Sequence, residues 1–294
     1  MSINFMLPGM YEHHDMIFRF LNLLKIHPEY FIDDLKIRAV YGNFQFCIWV
    51  GGRIFSNFYH TTKEEVKRIQ EIYNYTFKVP IRFVFTNTEI KEEHCYDRFC
   101  NMVLKECEND MNEIVVNSPI LEQYIRKNYP KYKFISSTTK CLSKPEDFKL
   151  ELSNPNYELI CLDYNLNKNN NLLNSIDEID KHKCEFLVNA ICPPGCPSRK
   201  EHYKLNSLFY LSYGRPYKTR FCGISDSNLS PTCMNSKNNL TPKECLDYVK
   251  KGFYNFKLEG RTFNEISLLS NFITYMVKSE YQMFVMQILN EGRK

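Results

Sequence analysis

The feature that most constrains this chain is an alternation. Eight short apolar stretches are each followed by a segment with helical signals. The stretches run Ile3 to Leu7, Ile37 to Phe44, Ile81 to Phe85, Glu113 to Val116, Lys133 to Ser136, Glu158 to Leu162, Glu185 to Ile191 and Phe253 to Leu258. Between them lie helical patterns of several kinds. Met16, Ile17, Phe20, Leu21, Leu23 and Leu24 give a mostly apolar face. Thr61-Thr62 with Glu64 and Glu65 is a capping signal, and Thr241-Pro242-Lys243-Glu244 is another, with proline at the first helical position. Further helices are expected over Cys95 to Glu106, Leu121 to Lys127, a short stretch from Lys144-Pro145-Glu146-Asp147, and Leu172 to Ile179. Phe263, Ile266, Leu269, Phe272, Ile273 and Met276 form the stripe of the last.

Strict strand–helix alternation implies a parallel sheet with right-handed crossovers, and eight units are the number that closes a (β/α)8 TIM-like barrel. No composition break divides the 294 residues, so residues 1–294 read as a single α/β domain. The longest stretch without a pattern is the loop 203–239, after the seventh strand. In a barrel it would lie over the C-terminal mouth, where active sites are built.

The seventh strand leads into Cys192-Pro193-Pro194-Gly195-Cys196. Two prolines fix φ and remove backbone donors, while Gly195 lets the chain reverse, so the turn can aim two sulfurs at one point. Paired thiols at a strand end suit a soft metal or an iron–sulfur cluster. Cys222 and Cys233, in the long loop, would complete four thiolates, Cys233 being the weakest of the set. Cys47 and Cys141 follow the second and fifth strands and stand in reserve. Cys184 begins its strand, at the far end of the barrel. Cys161 lies within a strand, while Cys95, Cys100, Cys107 and Cys245 lie on or beside helices, as packing residues. The wide spacing between Cys222 and Cys233 favours a [4Fe–4S] cluster over zinc, whose ribbons use two tight pairs. Arg199 stands where the Cys-x3-Cys-x2-Cys motif of radical S-adenosylmethionine enzymes would need a third thiol.

Twelve cysteines in a chain with no charged n-region or cleavage site at its start indicate thiols in a reducing, cytoplasmic setting rather than a disulfide framework. No apolar run approaches the roughly 20 residues of a membrane helix. Net charge is +4, so bulk attraction to nucleic acid is weak. The one local group of cations, Arg126, Lys127, Lys131 and Lys133, reads as a solvated helix end.

Lys257, Glu259 and Arg261 alternate at the end of the last strand. Two of them could point into the mouth, where a cation would bind a carboxylate or tune a cluster; the competing reading is a salt bridge joining strand eight to strand one. His202 and Arg199 flank the thiol turn, and His202 could donate to a cluster sulfur or shuttle a proton. Asn117, Ser136, Thr138, Asp163 and Asn189 are small polar groups near strand ends, suggesting a polar pocket.

The run Phe186 to Tyr203, then Asn239-Leu240-Thr241-Pro242-Lys243-Glu244 and Phe256-Lys257-Leu258-Glu259-Gly260-Arg261, resembles the collagenase-like peptidase family U32. That family's usual late signature is Lys-Ile-Glu-Gly-Arg. Val116-Asn117-Ser118-Pro119 and Ser136-Ser137-Thr138-Thr139 look like its two middle strands. The resemblance spans about Asn112 to Arg261, and earlier residues match in rhythm only. It implies a barrel holding a [4Fe–4S] cluster on four cysteines and oxygen-independent hydroxylation of tRNA, ribosomal RNA or the ubiquinone ring, with a donor such as prephenate and, in some members, a homologous partner subunit. Here the first two thiols are closer together than in commoner members, and the long Ser-Gly-Arg-Cys run is missing. The expectation is an iron–sulfur oxidoreductase or hydroxylase modifying a small molecule or nucleoside, with nucleic acid entering only through the resemblance. The alternatives are a peptidase, for which no Ser–His–Asp or His-Glu-x-x-His constellation is found, and a non-catalytic, metal-stabilised partner subunit.

Overall fold

The computed structural model describes residues 2–54, 60–215 and 237–291. Eight parallel strands pair in chain order and close: β1 (Ile3–Pro8), β2 (Leu35–Gly42), β3 (Ile81–Phe85), β4 (Glu113–Val116), β5 (Lys133–Ser136), β6 (Leu159–Cys161), β7 (Cys184–Leu187) and β8 (Asn255–Lys257). Closure is made by β1 on β8, with Asn4 opposite Asn255 and Met6 opposite Lys257. This is the (β/α)8 barrel that the alternation implies.

Period two along each strand splits the side chains into two populations. Ile81, Phe83 and Phe85 of β3 point outward into the main core, under the helices. The intervening set faces the barrel lumen, where Met6, Ala39, Tyr41, Val84, Val115, Ile135 and Leu159 form a separate apolar cluster. At the lumen's lower end the same parity delivers charge. Arg82 Nε donates to Glu113 at 2.7 Å, and its Nη1 donates to Glu185. Lys257 Nζ lies 3.9 Å from the other oxygen of Glu185.

The surrounding helices include α1 (His14–Ile26), α2 (Lys63–Gln70), α3 (Arg98–Cys107), α4 (Pro119–Asn128), α5 (Pro145–Leu152), α6 (Asn170–Asn174), α7 (Glu178–Lys181), α8 (Arg199–Leu211), α9 (Pro242–Lys250), α10 (Glu265–Met276) and α11 (Gln282–Glu291). Both anticipated caps form complete capping boxes, Thr62 with Glu65 and Thr241 with Glu244. No helix among the described residues is long and apolar enough to cross a membrane.

Three expectations need correction. The stretch from Tyr203 is not irregular at its start, because α8 runs to Leu211. The buried residues of α8 are Arg199, Ser207 and Tyr210, so it has no apolar stripe for periodicity to detect. Ile266 is 59% exposed and off the buried stripe of α10. The helix expected over Leu172 to Ile179 is two short ones, α6 and α7, with Ser175 closing the first.

Candidate functional site at the barrel mouth

The segment beyond β7 is anchored to the segment beyond β8 by one asparagine. Asn189 Nδ2 donates to the Glu259 carbonyl at 3.0 Å, and its Oδ1 accepts from the Glu259 N–H at 2.6 Å. This reciprocal pair fixes Glu259 beside the thiol turn, where its carboxylate accepts the Ile191 N–H at 2.9 Å. Cys192 follows directly. The turn itself is closed by the Cys196 N–H donating to the Pro193 carbonyl at 3.2 Å, with Gly195 at φ +66°. Asn165 Oδ1 accepts the Gly195 N–H at 2.9 Å and holds the tip down.

Arg53 enters from the segment between β2 and α2. Its Nε donates to Glu259 at 2.7 Å, and its Nη2 lies 3.7 Å from Cys192 Sγ. Gly51 lets the backbone come this close: a Cβ there would lie 2.4 Å from the Thr86 carbonyl oxygen. Helix α8 secures the same segment, with Asn206 Nδ2 donating to the Gly52 carbonyl at 2.8 Å and Tyr210 Oη to that of Arg53 at 2.9 Å.

A second guanidinium stands on the other side of the turn. Arg199 forms a bidentate pair with Asp163, its Nη1 donating at 3.1 Å. It lies 4.6 Å from the Tyr164 ring centroid. Its Nε approaches Cys141 Sγ at 3.2 Å. Burial raises the Cys192 and Cys141 thiols above their ordinary range, opposed by Arg53 at the first and Arg199 at the second.

Between these groups lies a cavity of about 60 Å³, bordered by Cys192, Tyr203, Arg53, Lys257, Glu259 and Arg261, among others. That is the share of liquid volume taken by roughly two waters. Three threonine hydroxyls in its wall, those of Thr86, Thr138 and Thr262, are buried with no hydrogen-bond partner among the described residues. Burial lowers Lys257, with Glu185 pulling the other way. Its ammonium also lies 4.5 Å from the Tyr41 ring centroid. On the segment after β1, burial pushes the Glu12 carboxyl up to about 7, against the pull of Arg261 and nearby backbone N–H groups.

The sequence-based candidates thus divide. Lys257, Glu259 and Arg261 all border the cavity, and so does Cys192. Of the residues read as a bridge from strand eight to strand one, Glu259 pairs with Arg53 and Lys257 with Glu185 of β7. Cys196 is half-buried on the same turn but does not border the cavity, and neither does His202, which sits on α8. Cys222 and Cys233 lie outside the described residues. Of the reserve thiols, Cys141 is at the mouth, whereas Cys47 is buried against Cys100 with the sulfurs 2.9 Å apart. Cys184 sits at the start of β7 with its thiol donating to the Asp180 carbonyl. Among the described residues, no three His, Cys, Asp or Glu side chains are grouped to hold a metal. Cys192 and Cys196 share a turn, with Arg53 Nη2 3.7 Å from the Cys192 sulfur and Arg199 Nε 3.2 Å from that of Cys141.

Arg53 and Tyr203 were not assigned roles from sequence. The Gly51-Gly52-Arg53 run after an apolar strand was the available signal, since paired glycines mark close backbone approach.

An eight-stranded parallel barrel with thiols, guanidiniums and a lysine at its C-terminal mouth defines the class of protein. The chain is similar to a solved structure, that of the U32 peptidase Mk0906, with a TM-score of 0.52 and 15% identity over 88% of this chain and 93% of that one. At that identity the likeness bears on the fold. No family model and no curated protein matches the sequence.

Proposed function

We propose that this chain is an iron–sulfur enzyme that carries out oxygen-independent hydroxylation, or a related redox modification, on a small polar anion bound at the barrel mouth. One observation carries the reading: Cys192 borders a cavity that also holds Arg53, Lys257 and Arg261 and three buried threonine hydroxyls without partners. Unmatched buried donors cost free energy unless a ligand meets them, and three cations against one carboxylate favour a carboxylate or phosphate group, the rest of the ligand lying outside a cavity of about 60 Å³. Cys192 and Cys196, with Cys222 and Cys233 or with Cys141 in place of one, would hold the cluster; when bound, it supplies one-electron transfer. Arg261 and Lys257 orient the anion, Glu259 holds Arg53 beside the sulfur, and the Arg199–Asp163 pair fixes the start of α8 against the turn.

The test is iron and sulfide analysis of anaerobically prepared protein. A brown protein absorbing near ~400 nm is expected, losing iron in Cys192→Ser and Cys196→Ser. Protein that takes up zinc but no iron on reconstitution would sink the proposal. The second reading is a peptidase, favoured by the name of the structural neighbour. Gelatin cleavage by the iron-free protein, abolished by Glu259→Gln, would support it instead.

A further inference from the structure

Two thiols far apart in sequence meet away from the mouth. Cys47 lies on the segment after β2, and Cys100 lies in the first turn of α3. Their sulfurs are 2.9 Å apart, and both residues are buried, at 2% and 0% exposure. Two non-bonded sulfurs in ordinary contact sit at about 3.6 Å, so this pair is already closer than packing alone requires. The backbone on either side is restrained. Asp97 caps α3 by accepting the Cys100 N–H at 2.7 Å, and Asn87 holds the other segment through the carbonyls of Ile48 and Val50.

An open cavity of about 600 Å³ is bordered by Phe46, Ile48 and Phe99, the chain neighbours of the two cysteines, but by neither cysteine, so a small oxidant reaches the sulfurs only when these side chains move aside.

We propose that Cys47 and Cys100 are a modification site at which hydrogen peroxide oxidises the pair to a disulfide, tying the β2–α2 segment to α3. The chemistry balances in two steps. Cys47 sulfur attacks one peroxide oxygen, giving a sulfenic acid and releasing one water. Cys100 sulfur then displaces the hydroxyl, forming the S–S bond and releasing a second water. Two thiols lose two electrons and two protons, and the peroxide is reduced to two waters. Cys100 is held in the capped first turn of α3 while Cys47 lies on a loop, so Cys47 reacts first and Cys100 is the resolving thiol. The same segment carries Arg53 to the mouth, so the crosslink would fix the base of that arm.

The experiment treats the full-length protein with hydrogen peroxide, unfolds it in alkylating reagent, and maps thiols by peptide mass spectrometry. The expected result is a crosslinked peptide joining Cys47 to Cys100, absent before treatment and removed by dithiothreitol. Thermal unfolding should rise by roughly 5 °C or more, because the closed loop is long. In Cys47→Ala the peptide and the shift should both vanish. Recovery of alkylated Cys47 and Cys100 after peroxide has converted exposed methionines such as Met283 to sulfoxides would overturn the proposal, as would a crosslink from either residue to a different thiol. This outcome is read on the unmutated chain and does not depend on iron content.

Discussion

The two ends of the barrel lumen use similar residues and treat them differently. At the lower end Arg82 is fully buried between Glu113 and Glu185. There, burial raises Glu185, but Arg82 and Lys257 together outweigh it and hold the carboxylate below its ordinary range. At the mouth, Arg53 is matched by Glu259, yet the buried hydroxyls of Thr86, Thr138 and Thr262 have no partner among the described residues. Arg82 Nη2 and Glu185 Oε1 also lack hydrogen-bond partners among the described residues, but they sit in a closed cluster of opposite charges, whereas the unmet hydroxyls of the mouth border a cavity, as in a binding site. Lys257 joins the two regions, touching Glu185 below and the cavity above.

The sharpest way to break this contrast is at Arg82. Arg82→Ala removes the nearest partner of two buried carboxylates, leaving Glu113 only Arg38 and Glu185 only Lys257 at longer range, and should cost about 3–5 kcal/mol in urea unfolding. A loss under 1 kcal/mol would mean the lower cluster is not structural. Glu12 comes next, with a pH dependence. Its folded-state value is raised from the ordinary 4.5 to about 7, so the protonated form is favoured in the fold. The associated stability is fully present below 4.5 and is lost as pH rises through 7. Glu12→Gln cannot ionise, and should therefore be more stable than the parent by about 3 kcal/mol at pH 8 and equal to it at pH ~3. Equal stabilities at both values would refute the buried-carboxylate reading. Thr241→Ala, remote from both regions, removes one capping box and should cost about 1 kcal/mol, which calibrates the scale. The smallest stability effect belongs to the mouth. Thr86→Val replaces an unpartnered hydroxyl with a methyl of similar shape and should change stability by less than about 1 kcal/mol, in either direction. A much larger loss would reveal a structural partner and erase the contrast.

Much of the barrel was legible in the sequence because its strands are short apolar runs between turn residues. β3, β4 and β5 match their expected bounds to the residue. β6, β7 and β8 are shorter than their apolar runs, since residues such as Leu162 and Leu258 continue the apolar pattern after the ladder has ended. At the site, Lys257, Glu259 and Arg261 could be found because alternation on one strand is a local property. Arg53 could not, because its partner Glu259 lies 206 residues away and only the closed barrel brings them together. Cys47 failed as a mouth candidate for a related reason: sequence gave its place after a strand, but not the helix that its side chain would turn toward.

Helix α8 has one more consequence. It begins three residues after Cys196, and its later turns hold the Gly52 and Arg53 carbonyls. Ser207, midway, also takes the Thr88 N–H at 2.9 Å. Thirteen helical residues make a stiff rod of about 20 Å, pinned at one end to the sulfur-bearing loop and at the other to the arginine arm. Displacement at either end must therefore be felt at the other, so the loop and the arm should move as a single lever rather than as independent parts.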